Sequence, residues 1–85
     1  MNSVNIIGFL RENIDDTYRY FEYELPYMEE NPEVKNIIVV KNWTNLPGSI
    51  INSYPSNTRV ALHGHLDAHA KFGTIIVVEE IQQVR

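Results

Sequence analysis

Lys41-Asn42-Trp43 places an ammonium and an indole two residues apart. On an extended strand that spacing puts both on one side. An indole is a surface on which a nucleic-acid base stacks, worth roughly 1–3 kcal/mol per base whatever the sequence, and a nearby ammonium meets a phosphate. The alternative is a tryptophan packed as core at a strand corner, since most Trp residues are largely buried. Tyr18 and Tyr20 share one side of a second aromatic-rich run, with Phe21 and Tyr23 opposite. Glu22 and Glu24 continue the side of Tyr18 and Tyr20, so that side is expected to face water, with the two rings read as a stacking surface or else as partly buried or in a protein contact. Phe9 is a similar candidate, and Lys71-Phe72 pairs a cation with a ring in a loop. Arg59, Arg19 and Arg11 read either as phosphate partners or as ordinary surface charges.

His63, His65, Asp67 and His69 raise a different chemistry. At alternating strand positions His63, His65 and Asp67 project to one side, where an imidazole–carboxylate set binds zinc adventitiously. The run His-Gly-His-Leu-Asp-Ala-His approaches the His-x-His-x-Asp-His motif of metallo-β-lactamase-type hydrolases. It carries one residue too many before the last histidine, and those enzymes need a far longer chain. The expectation is therefore no functional metal and no cofactor. These residues then read as polar, outward positions of a strand. If that side meets DNA, the imidazoles hydrogen-bond phosphate or stack, and binding tightens as pH falls towards about 6.5. No phosphate-binding glycine loop and no nucleophile–base pair is present, so no enzymatic activity is expected. Glu29-Glu30, Asp15-Asp16 and Glu79-Glu80 read as solvated ends of strands or turns.

The elements that must carry these residues follow from period and punctuation. Val4–Leu10 alternates as a strand, with Val4, Ile6, Gly8 and Leu10 on one side and Asn5, Ile7 and Phe9 on the other. Residues 11–16 form a polar loop. Thr17–Tyr27 is a second strand, with Pro26 near its end, and Met28–Glu33 is a turn. Lys35–Trp43 is a third strand, apolar on both sides over Ile37–Val40. Thr44–Tyr54 changes period: Leu46, Ile50, Ile51 and Tyr54 fall on one face of a short helix, capped by Thr44 or Asn45. Pro47 suits its first turn and Pro55 ends it. Thr58–Asp67 is a fourth strand with Val60, Leu62, Gly64 and Leu66 on its apolar side. Ala68–Gly73 is a loop, and Thr74–Val84 a fifth strand.

Two echoes sharpen this. Ile6-Ile7-Gly8-Phe9-Leu10 and Leu62-His63-Gly64-His65-Leu66 both read apolar-x-Gly-x-Leu inside a strand. Glycine weakens a strand, and a chain keeps it there for a close backbone approach, a bulge or a sharp bend, as small barrels need. Three strands, a helix and two strands predict an all-β fold. It is a five-stranded OB-fold Greek-key barrel with one short helix between strands three and four, whose usual ligands are oligonucleotides and oligosaccharides.

Composition bounds the rest. Eighty-five residues make a single domain, 1–85. With 44% hydrophobic and 21% charged residues the chain reads as an ordinary globule, and with no cysteine it has no disulfide or thiolate metal site. Met1-Asn2-Ser3 leads into no basic and apolar signal segment, and Ile37–Val40 and Ile75–Val78 are far short of a membrane span. A cytoplasmic protein with no membrane partner is expected. The net charge of −4 and only seven Lys and Arg residues stand against strong phosphate binding and predict modest, salt-sensitive affinity.

Over most of its length, and best over residues 36–82, the sequence resembles the bacterial single-stranded-DNA-binding protein family. The stretches that carry the likeness are Ile38-Val39-Val40-Lys41-Asn42-Trp43, Arg59-Val60-Ala61-Leu62-His63-Gly64-His65-Leu66 and Phe72-Gly73-Thr74-Ile75-Ile76-Val77-Val78-Glu79-Glu80-Ile81-Gln82. The opening Val4-Asn5-Ile6-Ile7-Gly8-Phe9-Leu10 also suits the family. A stacking aromatic at the end of strand three falls on Trp43. The chain departs from the family in its short length, its compact turn between strands two and three, its acidic balance and the lack of a long acidic-tipped tail. A short phage, plasmid or primosomal replication protein N type fits these departures. The resemblance implies a single-stranded DNA partner and contact with other replication proteins, and a homo-oligomer is expected because one small barrel offers few contacts and multivalency supplies avidity. The rival expectation is an OB-fold adaptor between proteins, to which the acidic surface is suited.

Overall fold

Five strands wrap into a closed barrel in the order β1-β2-β3-β5-β4. The strands are β1 (Val4–Asn13), β2 (Tyr18–Tyr23), β3 (Ile37–Asn42), β4 (Thr58–His69) and β5 (Gly73–Gln83), with α1 (Ile50–Ser53) between β3 and β4. This computed structural model describes residues 2–24, 36–43 and 50–85. The expected turn Met28–Glu33, the ends of strands two and three at Pro26, Tyr27 and Lys35, and Thr44, Asn45, Leu46 and Pro47 lie outside the described residues. Four pairings are antiparallel, and the parallel pair β3–β5, from Val39 opposite Ile75 to Asn42 opposite Val78, completes the circuit. One sheet closed in this order, with the helix between β3 and β4, is the OB-fold.

Alternation decides what fills the barrel. Leu10, Phe21, Val40, Ile51, Val60, Leu62, Ile76 and Val78 form the interior, with Val4, Ile6, Ile38 and Tyr54 packed against them. Each fully buried Leu, Ile or Phe contributes about 1.5–3 kcal/mol of transfer free energy. The residues of opposite parity on β3 and β5, Val39, Ile75 and Val77, are also buried. They form a second, outer cluster under Ile14, Tyr18 and Phe72. The runs that are apolar on both sides therefore belong to strands covered on both faces.

Both strand glycines are close approaches. A Cβ on Gly8 would overlap the Glu22 carbonyl and stand 2.7 Å from Tyr23 Cα. One on Gly64 would overlap the Val77 carbonyl oxygen and stand 2.9 Å from its carbon. Gly64 also adjoins a register shift in the β4–β5 pair, where Glu79 is the extra residue on β5 between Val78, opposite Gly64, and Glu80, opposite His63.

Several expected boundaries move. β1 continues through residues 11–13, which the sequence placed in a loop, because a bulge between Leu10 and Asn13 lets polar residues stay paired with β2. Strand two ends at Tyr23 and strand three at Asn42, leaving Trp43 just beyond it. β4 runs on to His69 and pairs with Gly73, so the expected loop Ala68–Gly73 shrinks to a tight hairpin with Gly73 at φ 76°. Leu66 is 41% exposed although it has core parity. β1 begins at Val4, opposite Gly64, so Leu66 lies beyond the stretch of β4 that pairs with β1. Ile50 is 53% exposed, since the single helical turn sends Ile51 inward and leaves its neighbour about 100° away.

Arg19 is the largest correction. Expected at the surface, it is 1% exposed. It shares the inward parity of Phe21. Its Nε donates to the Arg11 carbonyl at 2.6 Å, and its Nη1 to the carbonyls of Ile51 at 2.9 Å and Tyr54 at 2.6 Å. It thereby ties the β1 bulge to the end of α1, where carbonyls lack helical partners. Burial pushes its pKa below the ordinary arginine value, without removing its charge.

Candidate nucleic-acid interface

Register builds the site row by row on the outer face of the barrel. Tyr18 stands opposite Lys41, Lys41 opposite Val77, and Val77 opposite His65. The next row is Tyr20, Val39, Ile75 and Asp67. All have outward parity, so one face spans four strands. Trp43 follows β3 directly, and its backbone N–H donates to the Val78 carbonyl at 2.8 Å. That bond holds it beside β5 while its side chain stays open, 60% exposed. The competing reading of Trp43 as a core residue is therefore set aside.

Two aromatic groups lie on this face. Trp43 meets His65 edge-on with ring centroids 5.3 Å apart. His65 Nδ1 is in turn 3.5 Å from Glu79 Oε2. Near the hairpin tip, Tyr18 contacts His69 at 5.0 Å and Phe72 at 5.2 Å, and His69 contacts Phe72 at 4.8 Å. Lys41 Nζ lies 6.0 Å from the Tyr18 ring centroid, and Lys71 Nζ 5.5 Å from that of Phe72. Tyr18 and Phe72 are half-buried because they roof the outer apolar cluster. They hold the hairpin against the barrel as much as they offer a surface. Tyr20 is 40% exposed and lines a shallow groove with Arg11, Ile37 and Asn57.

The loop before β2 is fixed by a carboxylate. Asp15 Oδ1 accepts the backbone N–H groups of Thr17 and Tyr18, each at 2.8 Å. Those bonds, Tyr18's first, hold the Asp15 carboxyl below the ordinary aspartate range, and the Lys71 ammonium adds to the effect. The loop thus positions Tyr18 at the start of its strand.

Other expected site residues are placed elsewhere. Phe9, Arg59 and His63 lie on the outer wall made by β1 and β4. Arg59 grips Glu24 through Nε at 2.6 Å and Nη2 at 3.2 Å. That contact lowers the Glu24 pKa and raises that of Arg59. Arg11 pairs with Glu22 and with Asn57 and stacks 5.7 Å from the Phe9 centroid. His63 Nδ1 is bonded to Asn5 Oδ1 at 2.7 Å.

The histidines are not gathered about one point. Beside the partners of His63 and His65, His69 Nδ1 accepts the backbone N–H groups of Lys71 at 3.0 Å and Phe72 at 3.2 Å. Among the described residues no three His, Asp or Glu side chains converge as metal ligands would.

The cations likewise divide. Arg19 is buried, and Arg11 and Arg59 are paired with acids. On the Trp43 face, Lys41 and Lys71 have no ion pair among the described residues.

The chain shares its fold with the N-terminal domain of PriB from Thermoanaerobacter tencongensis. That solved structure, described as dimeric, superposes with a TM-score of 0.62 at 18% identity, covering 99% of this chain and 97% of the other. At that identity the likeness carries the fold and nothing finer. It agrees with the short OB-fold relative expected from the sequence. No family model and no curated protein matches the chain.

The outer apolar cluster, His69 and Glu79 were not read from the sequence as parts of this face. Four consecutive apolar residues on β5, Ile75–Val78, were the available signal for the cluster. For Glu79 the signal was alternation, which puts it on the side of Ile75 and Val77.

Proposed function

We propose that this protein binds single-stranded DNA in replication, recombination or repair, as a non-enzymatic cytoplasmic module with little overall sequence preference. The observation that carries the reading is the open indole of Trp43, pinned beside β5 on the same outer face as Lys41. A base stacks on the indole while Lys41 and Lys71 meet phosphates. Tyr20, and the exposed edges of Tyr18 and Phe72, extend the path across the face. Duplex DNA offers no free base faces to such a platform, so single strands are the ligand. The likeness to a PriB domain described as dimeric supports a homodimer, in which two such faces act with the avidity of linked sites. Other replication proteins are further partners on this reading.

The test is the fluorescence anisotropy of a labelled, mixed-sequence single strand at low salt. Wild type binds saturably, and Trp43→Ala loses roughly tenfold or more in affinity, the worth of one to two kcal/mol of stacking. Equal affinity in the two proteins, with both folded, refutes the stacking role.

The second reading is an adaptor that joins proteins without touching DNA. It is favoured by the pairing of Arg11 with Glu22 and of Arg59 with Glu24, which neutralises the arginines of β1 and β4 on that wall. On that reading neither protein moves the anisotropy.

A further inference from the structure

The side chains beside Trp43 are not those of an indifferent platform. A surface built only to hold a strand would surround its stacking ring with cations. Here the ring's neighbour is His65, whose Nδ1 faces Glu79 Oε2 at 3.5 Å. Glu79 shares the outward parity of Ile75 and Val77 on β5, and it lies at the register shift between His63 and Gly64, where β5 carries one extra residue. The Glu79 side chain is 41% exposed, and its second oxygen, Oε1, has no partner among the described residues.

We infer that Glu79 reads the base stacked on Trp43, selecting bases that carry an exocyclic amine and rejecting thymine. This rests on the binding reading above. In a single strand the Watson–Crick edge of each base is free. Cytosine offers its N4 amine, adenine its N6 amine, and guanine an N1–H beside an N2 amine. Each can donate to a carboxylate, which only accepts. Thymine offers one N–H between two carbonyl oxygens, and both repel the carboxylate. Stacking supplies the affinity and is blind to sequence, while the carboxylate supplies a local preference at one nucleotide. His65 stands beside one Glu79 oxygen, which leaves the other open to the base.

Oligo-dC and oligo-dT separate the two effects, since both are pyrimidine strands with one ring per base. The experiment measures the affinity of each by anisotropy for wild type and for Glu79→Gln. Wild type prefers oligo-dC by roughly fivefold, the scale of one charge-assisted contact to a base edge. In Glu79→Gln the preference falls to unity or reverses, because an amide also donates to the thymine carbonyls. Glu79→Ala, which merely deletes the carboxylate, abolishes the preference without reversing it. Saturable binding of both oligomers by wild type with equal affinity, or a preference unchanged in Glu79→Gln, overturns this inference and leaves the binding reading standing. Failure of wild type to bind either oligomer overturns both.

Discussion

Trp43 and Arg19 are opposites that their types do not reveal. The large apolar residue is exposed, and the cation is buried. Parity on β2 was the signal available for Arg19, since it lies on the side of Phe21 and Tyr23. Its charge argued the other way. What settles the matter is a set of three carbonyls, on Arg11, Ile51 and Tyr54, that one guanidinium reaches together. That set exists only once the bulge and the helix end have been brought together, so no local pattern announces it. Arg19→Met tests this account. The methionine fills much of the space but leaves the carbonyls unmatched in the interior, so unfolding by urea should show a loss of about 2–4 kcal/mol. An unchanged midpoint would mean that water or neighbouring donors replace the guanidinium. Trp43 was legible as a candidate from its distance to Lys41, but its exposure depends on the strand stopping at Asn42.

The strands themselves were readable because apolar alternation and glycine placement are local. The Gly8 and Gly64 echoes marked real points of contact, where a Cβ would collide with a neighbouring backbone. Their ends were less readable, because pairing continues wherever a partner strand is present. Polar Arg11, Glu12 and Asn13 stay in β1 opposite β2, and Ala68 and His69 stay in β4 opposite β5.

The loop between β1 and β2 has a different basis, a single carboxylate bound to two backbone N–H groups. It carries a pH dependence whose sign is fixed. The folded-state pKa of Asp15 is below the unfolded value, so folding is favoured by this group above about pH 4. The contribution fades as the pH falls through the lowered value. Urea midpoints of wild type and Asp15→Asn should therefore differ at neutral pH and converge in acid. A difference that persists or grows in acid would contradict the account.

At the scale of the molecule, charge is the constraint. The sequence carries seven cations against eleven carboxylates, and the structure spends three of its arginines internally or in ion pairs. Lys41 and Lys71 remain on the Trp43 face. A single strand releases about 0.7 counterion per neutralised phosphate, so log affinity should fall with log salt at a slope between about −1 and −2. A slope steeper than about −4 would require cations outside this face. No helix among the described residues is long and apolar enough to span a membrane. The OB-fold was legible in full outline from the order of elements, whereas the site was legible only in its types: Trp43, Lys41, Lys71 and Phe72 meet on one face, but Phe9, Arg59 and His63 do not.

The most direct measurement is a titration of the intrinsic fluorescence of Trp43 with a mixed-sequence single-stranded oligonucleotide at low salt. The chain has one tryptophan, so the signal reports one site. Stacking predicts saturable quenching that an equal concentration of duplex does not produce. Unchanged emission at saturating oligonucleotide would contradict it and leave the face to a protein partner.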